Sequence, residues 1–144
     1  MSIDGFEKVE PAHILLVEDC AGDTLLVQQA LASCPIPLKL HVARDGEQGL
    51  YMLATADFKP SLIILDLNMP RIGGFTFLQR YQPKDIPVVV FSVSSLEADK
   101  QFALELGARE YAEKSIEFQT FTDVVCQIVM NWVGQHKQSS AVVS

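Results

Sequence analysis

The sequence predicts an α/β fold, a doubly wound sandwich with helices on both faces of a five-stranded parallel sheet. Three short apolar runs without polar alternation, 13–17, 62–65 and 88–91, are typical of parallel strands that are covered on both faces. Helical segments separate them, and 38–42 and 110–112 are two weaker strand candidates. The pattern is therefore strand then helix, five times over, with short loops and no internal linker, which predicts a single domain.

The first two helices are predicted from an apolar side and from a capping pattern. Leu25, Leu26, Ala30 and Leu31 lie on one side of a helix that runs roughly over 23–33. The motif DGEQ at 45–48 is a capping box, in which an aspartate and a glutamine satisfy the free N–H groups of a helix start. That second helix is expected to continue to Ala56.

The remaining three helices differ in regularity. A short helix is expected after Phe75, and Pro83 ends it. The motif SSLE at 94–97 is a second capping box, and its helix stops at Gly107, a natural residue for the position after a helix end. Apolar residues at spacings of three and four predict a final amphipathic helix whose stripe packs in the core: Phe118, Phe121, Val125, Ile128 and Trp132.

Composition narrows the classes of partner and compartment. The chain has 144 residues and a formal net charge of -7, which argues against broad attraction to nucleic acid or to an anionic membrane. Three cysteines without metal-type spacing favour a reduced, cytosolic setting. No secretory signal is visible in the first residues, and no apolar run approaches the ~20 residues of a membrane helix. We expect one cytoplasmic domain over 10–136, loosely ordered ends at 1–9 and 137–144, and no output domain.

Polar side chains follow several of the predicted strands, at the edge where open parallel sheets bind ligands. Each has an ordinary structural interpretation, because Asp, Asn and Ser often begin turns and lysine is usually a solvated surface charge. Together, in this order, they favour a single functional site. These side chains are Glu18 and Asp19 after the first strand, Asp66 and Asn68 after the third, Ser92 after the fourth, and Tyr111 and Lys114 at the fifth.

The acidic members of this set need a cation. Two carboxylates about 4 Å apart repel by roughly 4 kcal/mol at an effective dielectric near 20. Magnesium prefers oxygen ligands and keeps several waters, so Asp19, Asp66 and the backbone carbonyl of Asn68 are candidate ligands. Glu18 is expected to orient a bound water.

Open positions on such an ion leave room for a phosphoryl oxygen. Lys114 and the Ser92 hydroxyl are candidates to hold the other phosphoryl oxygens. Phosphoryl transfer needs mainly positioning and charge neutralisation, which this set of groups can supply.

In its motifs the sequence resembles the response-regulator receiver domains of two-component signalling. The motifs are LLVED, LIILDLNMP, VVVFSVSS and GAREYAEK, in this order, and the resemblance covers about 12–134. It implies a flavodoxin-like fold of strand order 2-1-3-4-5. It further implies that Asp66 accepts a phosphoryl group from a histidine kinase or a phosphotransfer protein. By the same resemblance, Glu18, Asp19 and Asn68 lie at Mg²⁺, and Ser92 and Lys114 contact the phosphate. Tyr111 is then a rotating aromatic side chain whose position is coupled to that of Ser92.

Two longer stretches, VEDCAGDTLLVQQAL and VARDGEQGLYML, look most like the small regulators that partner phytochrome-type photoreceptor kinases. This resemblance implies a stand-alone domain without a DNA-binding output. It also implies a homodimer through the face of the fourth helix, fifth strand and fifth helix.

Three features depart from the family pattern. Ser115 follows Lys114 where the family has a proline after a cis bond, and a cis bond before a non-proline residue costs ~2.5–4 kcal/mol, so a trans bond is expected. Val93 replaces a small residue, and its bulk could narrow access to the phosphate. The interval of 26 residues from Asp66 to Ser92 is short, which predicts a stunted third helix.

Alternatives from other classes remain open. A phosphatase that resembles the haloacid dehalogenase group uses the same kinds of group, but its nucleophile follows the first sheet strand in a D-x-D pattern. A pseudo-receiver would keep the fold as a protein-binding scaffold without phosphorylation. A flavin-binding domain needs a phosphate loop after the first strand, where Glu18 and Asp19 would repel the phosphate.

Overall fold

The structure is a computed structural model that describes residues 10–69 and 72–134. The ends expected to be loosely ordered, 1–9 and 137–144, lie outside the described residues. The strands are β1 (Ala12–Val17), β2 (Leu38–Ala43), β3 (Leu62–Leu65), β4 (Val88–Ser92) and β5 (Glu110–Glu113). They form one parallel sheet in the order β2-β1-β3-β4-β5, which confirms the predicted fold.

Within the described residues, five α-helices alternate with these strands. They are α1 (Ala21–Ala32), α2 (Gly46–Thr55), α3 (Gly74–Arg80), α4 (Glu97–Glu105) and α5 (Phe118–Val129), and a π-helical segment (Met130–Gly134) continues α5. At 7 residues α3 is the shortest of the five helices, which confirms the expectation of a stunted third helix. Among the described residues, no helix is long and apolar enough to cross a membrane.

The sheet is covered on both faces, as the unbroken apolar runs predicted. On one face Ile14, Leu16 and Ile64 pack in a core with residues of α1 and α5. On the other, Leu15 and Ile63 pack in a second core that includes residues of α3 and α4. Successive side chains of a strand point to opposite faces, so every residue of β3 is buried in one core or the other.

Helix starts depart from the predictions in two places. The first helix begins at Ala21 rather than Asp23, with Cys20 as its N-cap, and Leu25 of the predicted apolar side is 54% exposed. The capping box at 94–97 is wrong, because α4 begins at Glu97 without a side-chain cap. The Ser94 hydroxyl instead accepts from the N–H of Leu96 and donates to Asp99, and the bond it accepts competes with the predicted cap.

Two other helix ends behave as predicted. The Asp45 side chain accepts from the backbone N–H of Gln48 at 2.8 Å and caps α2, while the Gln48 side chain reaches back to the N–H of Arg44. At the end of α4, Gly107 adopts a φ of +110°. The N–H groups of Gly107 and Ala108 bond to carbonyls of the last helical turn, the Schellman arrangement that favours glycine.

Candidate metal and phosphate site

Backbone pairing places two buried carboxylates at neighbouring strand ends. The N–H of Glu18 donates to the carbonyl of Ala43 at 2.9 Å, and the N–H of Asp66 donates to the carbonyl of Val17 at 3.0 Å. Both bonds continue the strand pairing by one residue beyond the apolar runs. The Glu18 and Asp66 residues are consequently only 2% and 5% exposed.

Asp19 completes a group of three carboxylates. One oxygen of each of Glu18, Asp19 and Asp66 lies within 4.8 Å of the others, and Asp19 is exposed to solvent. Burial raises the pKa of Glu18 to about 7, although Lys114 lowers it. Burial likewise raises the pKa of Asp66, against the charge of Lys114 and a hydrogen bond from the backbone N–H of Asn68. Both carboxyls therefore favour the uncharged form more than an exposed acid does.

Lys114 offsets part of this acidic charge. Its backbone N–H donates to the carbonyl of Ser92 at 2.7 Å, which fixes it one residue beyond β5. Its ammonium Nζ lies 2.7 Å from Glu18 Oε1, 2.8 Å from Asp23 Oδ2 and 3.6 Å from Asp66 Oδ1. Burial lowers the pKa of Lys114, but hydrogen bonds to Asp23 and Glu18 outweigh that effect and raise it, so the lysine is charged.

The remaining predicted residues flank this cluster. Ser92 is fully buried at the end of β4, and its hydroxyl accepts from the backbone N–H of Ser94 at 3.3 Å. The Tyr111 hydroxyl donates to the carbonyl of Ser94 at 2.8 Å, so both side chains bond to the same backbone unit. The Asn68 side chain is exposed, and its link to Asp66 runs through the backbone N–H.

The three departures from the family pattern do not displace these groups. Among the described residues the cis peptide bond is Gln82–Pro83, so the Lys114–Ser115 bond is trans, as predicted. Ser115 accepts from the N–H of Glu117 and forms a short turn before α5. Val93 is exposed.

Asp23 is a member of the site that the sequence interpretation missed. The sequence places Asp23 only at the start of a helix, whereas the residue lies in the first turn of α1 and its carboxylate accepts a hydrogen bond from Lys114. Its position is the available signal, because Asp23 is the third residue of α1 after the Cys20 cap, and side chains in a helix point back toward its N-terminus, here toward the preceding strand end.

The donor set fits a hard divalent cation. The three clustered carboxylates offer only oxygen ligands, which Mg²⁺ and similar ions prefer, and the exposed Asp19 leaves an approach from solvent. Positive charge at this position would also favour the charged forms of Glu18 and Asp66, whose pKa values burial raises.

Comparison with known proteins gives a consistent result. The model of the response regulator receiver domain matches residues 14–126. The nitrate/nitrite response regulator NarL of Escherichia coli (strain K12) is 39% identical over 110 residues, which are 75% of this chain and 50% of NarL. Response regulator Rcp1 of Synechocystis sp. is 35% identical over 139 residues, which cover 88% of this chain and 92% of Rcp1.

Solved structures extend the likeness to the fold. The crystal structure of the phosphorylated cyanobacterial phytochrome response regulator RcpA matches with a TM-score of 0.81 at 32% identity, over 88% of this chain and 96% of RcpA. The Mn²⁺-bound form of Rcp1 matches with a TM-score of 0.77 at 35% identity, over 85% and 95% of the two chains. The chain thus spans half the length of NarL and nearly all of RcpA and Rcp1. With a matching strand order and an acidic cluster at the strand ends, this chain belongs to the response regulator receiver domain family.

Proposed function

We propose that this chain is a response regulator receiver domain that accepts a phosphoryl group on Asp66 from a histidine kinase. The observation that carries the proposal is the buried Asp66 carboxylate, held beside Lys114 and clustered with two further acids. In the transfer, an Asp66 oxygen forms a bond to phosphorus as the phosphorus–nitrogen bond of the kinase phosphohistidine breaks. The imidazole nitrogen keeps the electron pair and takes a proton from water. The chain is thus a phosphoacceptor rather than an enzyme.

Charge balance assigns roles to the neighbouring groups. Asp19, Asp66 and the Asn68 carbonyl are the proposed ligands of Mg²⁺, and Glu18 orients a bound water. When bound, Mg²⁺ supplies positive charge that offsets the carboxylates and the phosphoryl oxygens. The Lys114 ammonium, already 3.6 Å from Asp66, needs only a small movement to contact a phosphoryl oxygen.

The same geometry supports a conformational response. The backbone of Ser94 accepts from the Tyr111 hydroxyl and donates to the Ser92 hydroxyl, so the two side chains share a partner. A new phosphoryl group on Asp66 brings several acceptor oxygens, and Ser92 would then turn to donate to one of them. That movement frees the Ser94 N–H, and Tyr111 would rearrange with it. Ser92 and Tyr111 are therefore the proposed switch.

The partners are proposed from the surface and from the relatives. RcpA is described as a phytochrome response regulator, and a phytochrome-type photoreceptor kinase is the corresponding phosphoryl donor proposed for this chain. Exposed apolar side chains at the starts of α4 and α5 support a homodimer through the α4–β5–α5 face. They are Leu96, Ile116 and Phe118.

The deciding experiment is phosphoryl uptake from a small acyl phosphate in the presence of Mg²⁺. Intact-protein mass spectrometry should find one added phosphoryl group on the wild type and on Asp85→Asn, an exposed control. Asp66→Asn should take up none, because the amide is not a nucleophile toward phosphorus. Equal uptake by Asp66→Asn would refute the assignment.

No uptake by the wild type, from an acyl phosphate or from a panel of histidine kinases, would support the pseudo-receiver alternative instead. The family membership and the strand order disfavour the dehalogenase-like phosphatase.

A further inference from the structure

Two cysteines distant in sequence lie side by side on the face of the molecule built by α1 and α5. The Sγ atoms of Cys34 and Cys126 are 2.6 Å apart, although the residues are 92 positions apart in the chain. Both sulfurs also lie close to the carbonyl oxygen of Ala30, at 3.4 Å and 3.5 Å. Both side chains are partly buried, so small reagents can reach them from solvent.

The approach of the two sulfurs is held by the core. Cys34 follows the last turn of α1, and Cys126 lies inside α5. These helices pack in one hydrophobic core through buried residues such as Ala30, Leu31 and Val125. A disulfide needs sulfurs at about 2.05 Å and Cα atoms within about 7 Å, so cysteines held on packed elements can bond with little backbone movement.

We propose that Cys34 and Cys126 form a reversible intramolecular disulfide when the chain meets hydrogen peroxide. The peroxide first oxidises one of the two thiols to a sulfenic acid: a sulfur–oxygen bond forms, the oxygen–oxygen bond breaks, and one water leaves. The sulfur of the other cysteine then attacks the oxidised sulfur, the sulfur–sulfur bond forms, and the hydroxyl leaves as a second water with the proton of the attacking thiol. Two thiols are thereby oxidised and one peroxide is reduced to two waters.

The surroundings of the two thiols bear on this reaction. Burial, together with the neighbouring Cys126, raises the pKa of Cys34 to about 12. The Cys34 thiol therefore ionises less readily than an ordinary cysteine, and the contact between the two sulfurs, rather than a lowered thiol pKa, is what favours the bond. The third cysteine, Cys20, is exposed and caps the start of α1, where its sulfur accepts from the N–H of Asp23. It therefore serves as an internal control for general thiol oxidation.

The cross-link would join α1 to α5 across most of the domain. Closing a loop of this length restricts the unfolded chain, so the oxidised protein should melt about 5–15 °C above the reduced one. Neither the bond nor its effect depends on phosphorylation, because the two sulfurs lie outside the acidic cluster of Glu18, Asp19 and Asp66.

The test treats the full chain with a small excess of hydrogen peroxide and then with dithiothreitol. The wild type and Cys20→Ser should each lose two titratable thiols and the mass of two hydrogens, with a peptide map that joins Cys34 to Cys126. Dithiothreitol should restore both the mass and the lower melting temperature. Asp66→Asn should behave as the wild type does, which separates this outcome from that of the proposed function.

Two results would overturn the proposal. One is a peroxide-treated Cys20→Ser protein in which both remaining thiols still titrate after denaturation. The other is a cross-link that joins two chains rather than Cys34 and Cys126. Cys34→Ser and Cys126→Ser should form no intramolecular cross-link. The decisive measurement is made on Cys20→Ser, so it stands even if either of these variants fails to fold.

Discussion

At the scale of single residues, the decisive feature is one lysine shared among three acids. The Lys114 ammonium contacts Glu18 and Asp23 more closely than Asp66. A phosphoryl group on Asp66 must therefore draw the lysine away from partners that already satisfy it. Asp23, whose side chain is about a third exposed, is the partner that solvent can most easily replace.

Removal of the Asp23 charge should favour the phosphorylated state. In Asp23→Asn, the charged side chain that competes with the phosphoryl oxygens for Lys114 is removed. Half-maximal phosphorylation should therefore need about 2–10-fold less acyl phosphate, as expected for an ion pair worth about 0.5–1.5 kcal/mol. Steady-state phosphorylation measured by mass spectrometry against donor concentration checks this. Asp123→Asn, an exposed change on α5, is the control. A higher donor requirement in Asp23→Asn would show that Asp23 positions Lys114 rather than competes for it.

The raised pKa of Glu18 predicts a pH dependence of stability in metal-free buffer. The folded-state pKa is about 7 against an ordinary value of 4.5, so the folded chain holds this proton more tightly than the unfolded chain. The stabilisation from this proton is fully present below about pH 4.5 and is lost as pH rises through 7. The free energy of unfolding should fall by roughly 2 kcal/mol over this range.

Urea denaturation between pH 5 and pH 8, with and without Mg²⁺, measures this slope. Bound Mg²⁺ favours the charged carboxylate, so saturating Mg²⁺ should flatten or reverse the slope, and Glu18→Gln should reduce it. Metal-free stability that rises between pH 5 and pH 8 in the wild type but not in Glu18→Gln would contradict the prediction.

At the scale of elements, apolar runs were a better guide than capping motifs. The runs at β1, β3 and β4 are set by burial on both faces, a requirement that the whole sheet enforces. The SSLE motif failed because the Ser94 hydroxyl accepts from the N–H of Leu96, before the helix, rather than from the first turn of α4. Local capping energies of about 1 kcal/mol are easily outweighed by such competition.

The start of α3 packs closely against the backbone that carries Asp66. A Cβ atom added at Gly74 would lie 2.7 Å from the carbonyl oxygen of Asp66 and 2.7 Å from the Cα of Leu67, both backbone atoms. Neither can move without displacing Asp66, the proposed phosphoacceptor. At the adjacent Gly73, an added Cβ would meet its nearest atom at 3.5 Å, an ordinary contact.

Gly74→Ala should therefore lower the free energy of unfolding by about 1–3 kcal/mol, whereas Gly73→Ala should change it by less than about 1 kcal/mol. Thermal and urea denaturation of the two variants measure the difference. Phosphoryl uptake should also fall in Gly74→Ala, because the crowded backbone carries Asp66. Equal stability of both variants would mean that α3 shifts freely relative to β3.

At the scale of the whole molecule, the sequence predicted the contacts that follow from strand order and missed the contacts that depend on how the helices pack. Glu18, Asp66 and Lys114 could be placed at one edge because parallel strands end there together. The contact between Asp23 and Lys114 depends on the angle at which α1 leaves the sheet. The approach of Cys34 to Cys126 depends on the packing of α1 against α5. No local pattern encodes either distance, since both join residues more than 90 positions apart.

The proposed homodimer is a property of the whole molecule, and Ile116 is the position that tests it most cleanly. This side chain lies fully exposed between β5 and α5, so a charge there costs the monomer no packing. In Mg²⁺ and acyl phosphate, Ile116→Arg should weaken dimerisation by at least about 10-fold, because a desolvated charge opposes an apolar contact. Leu25→Arg, an exposed apolar position on α1, should dimerise as the wild type does. Sedimentation velocity over a concentration series measures the association, and mass spectrometry verifies equal phosphoryl uptake in all three proteins. Dimerisation of Ile116→Arg at wild-type strength, with loss in Leu25→Arg, would move the interface from the α4–β5–α5 face to α1.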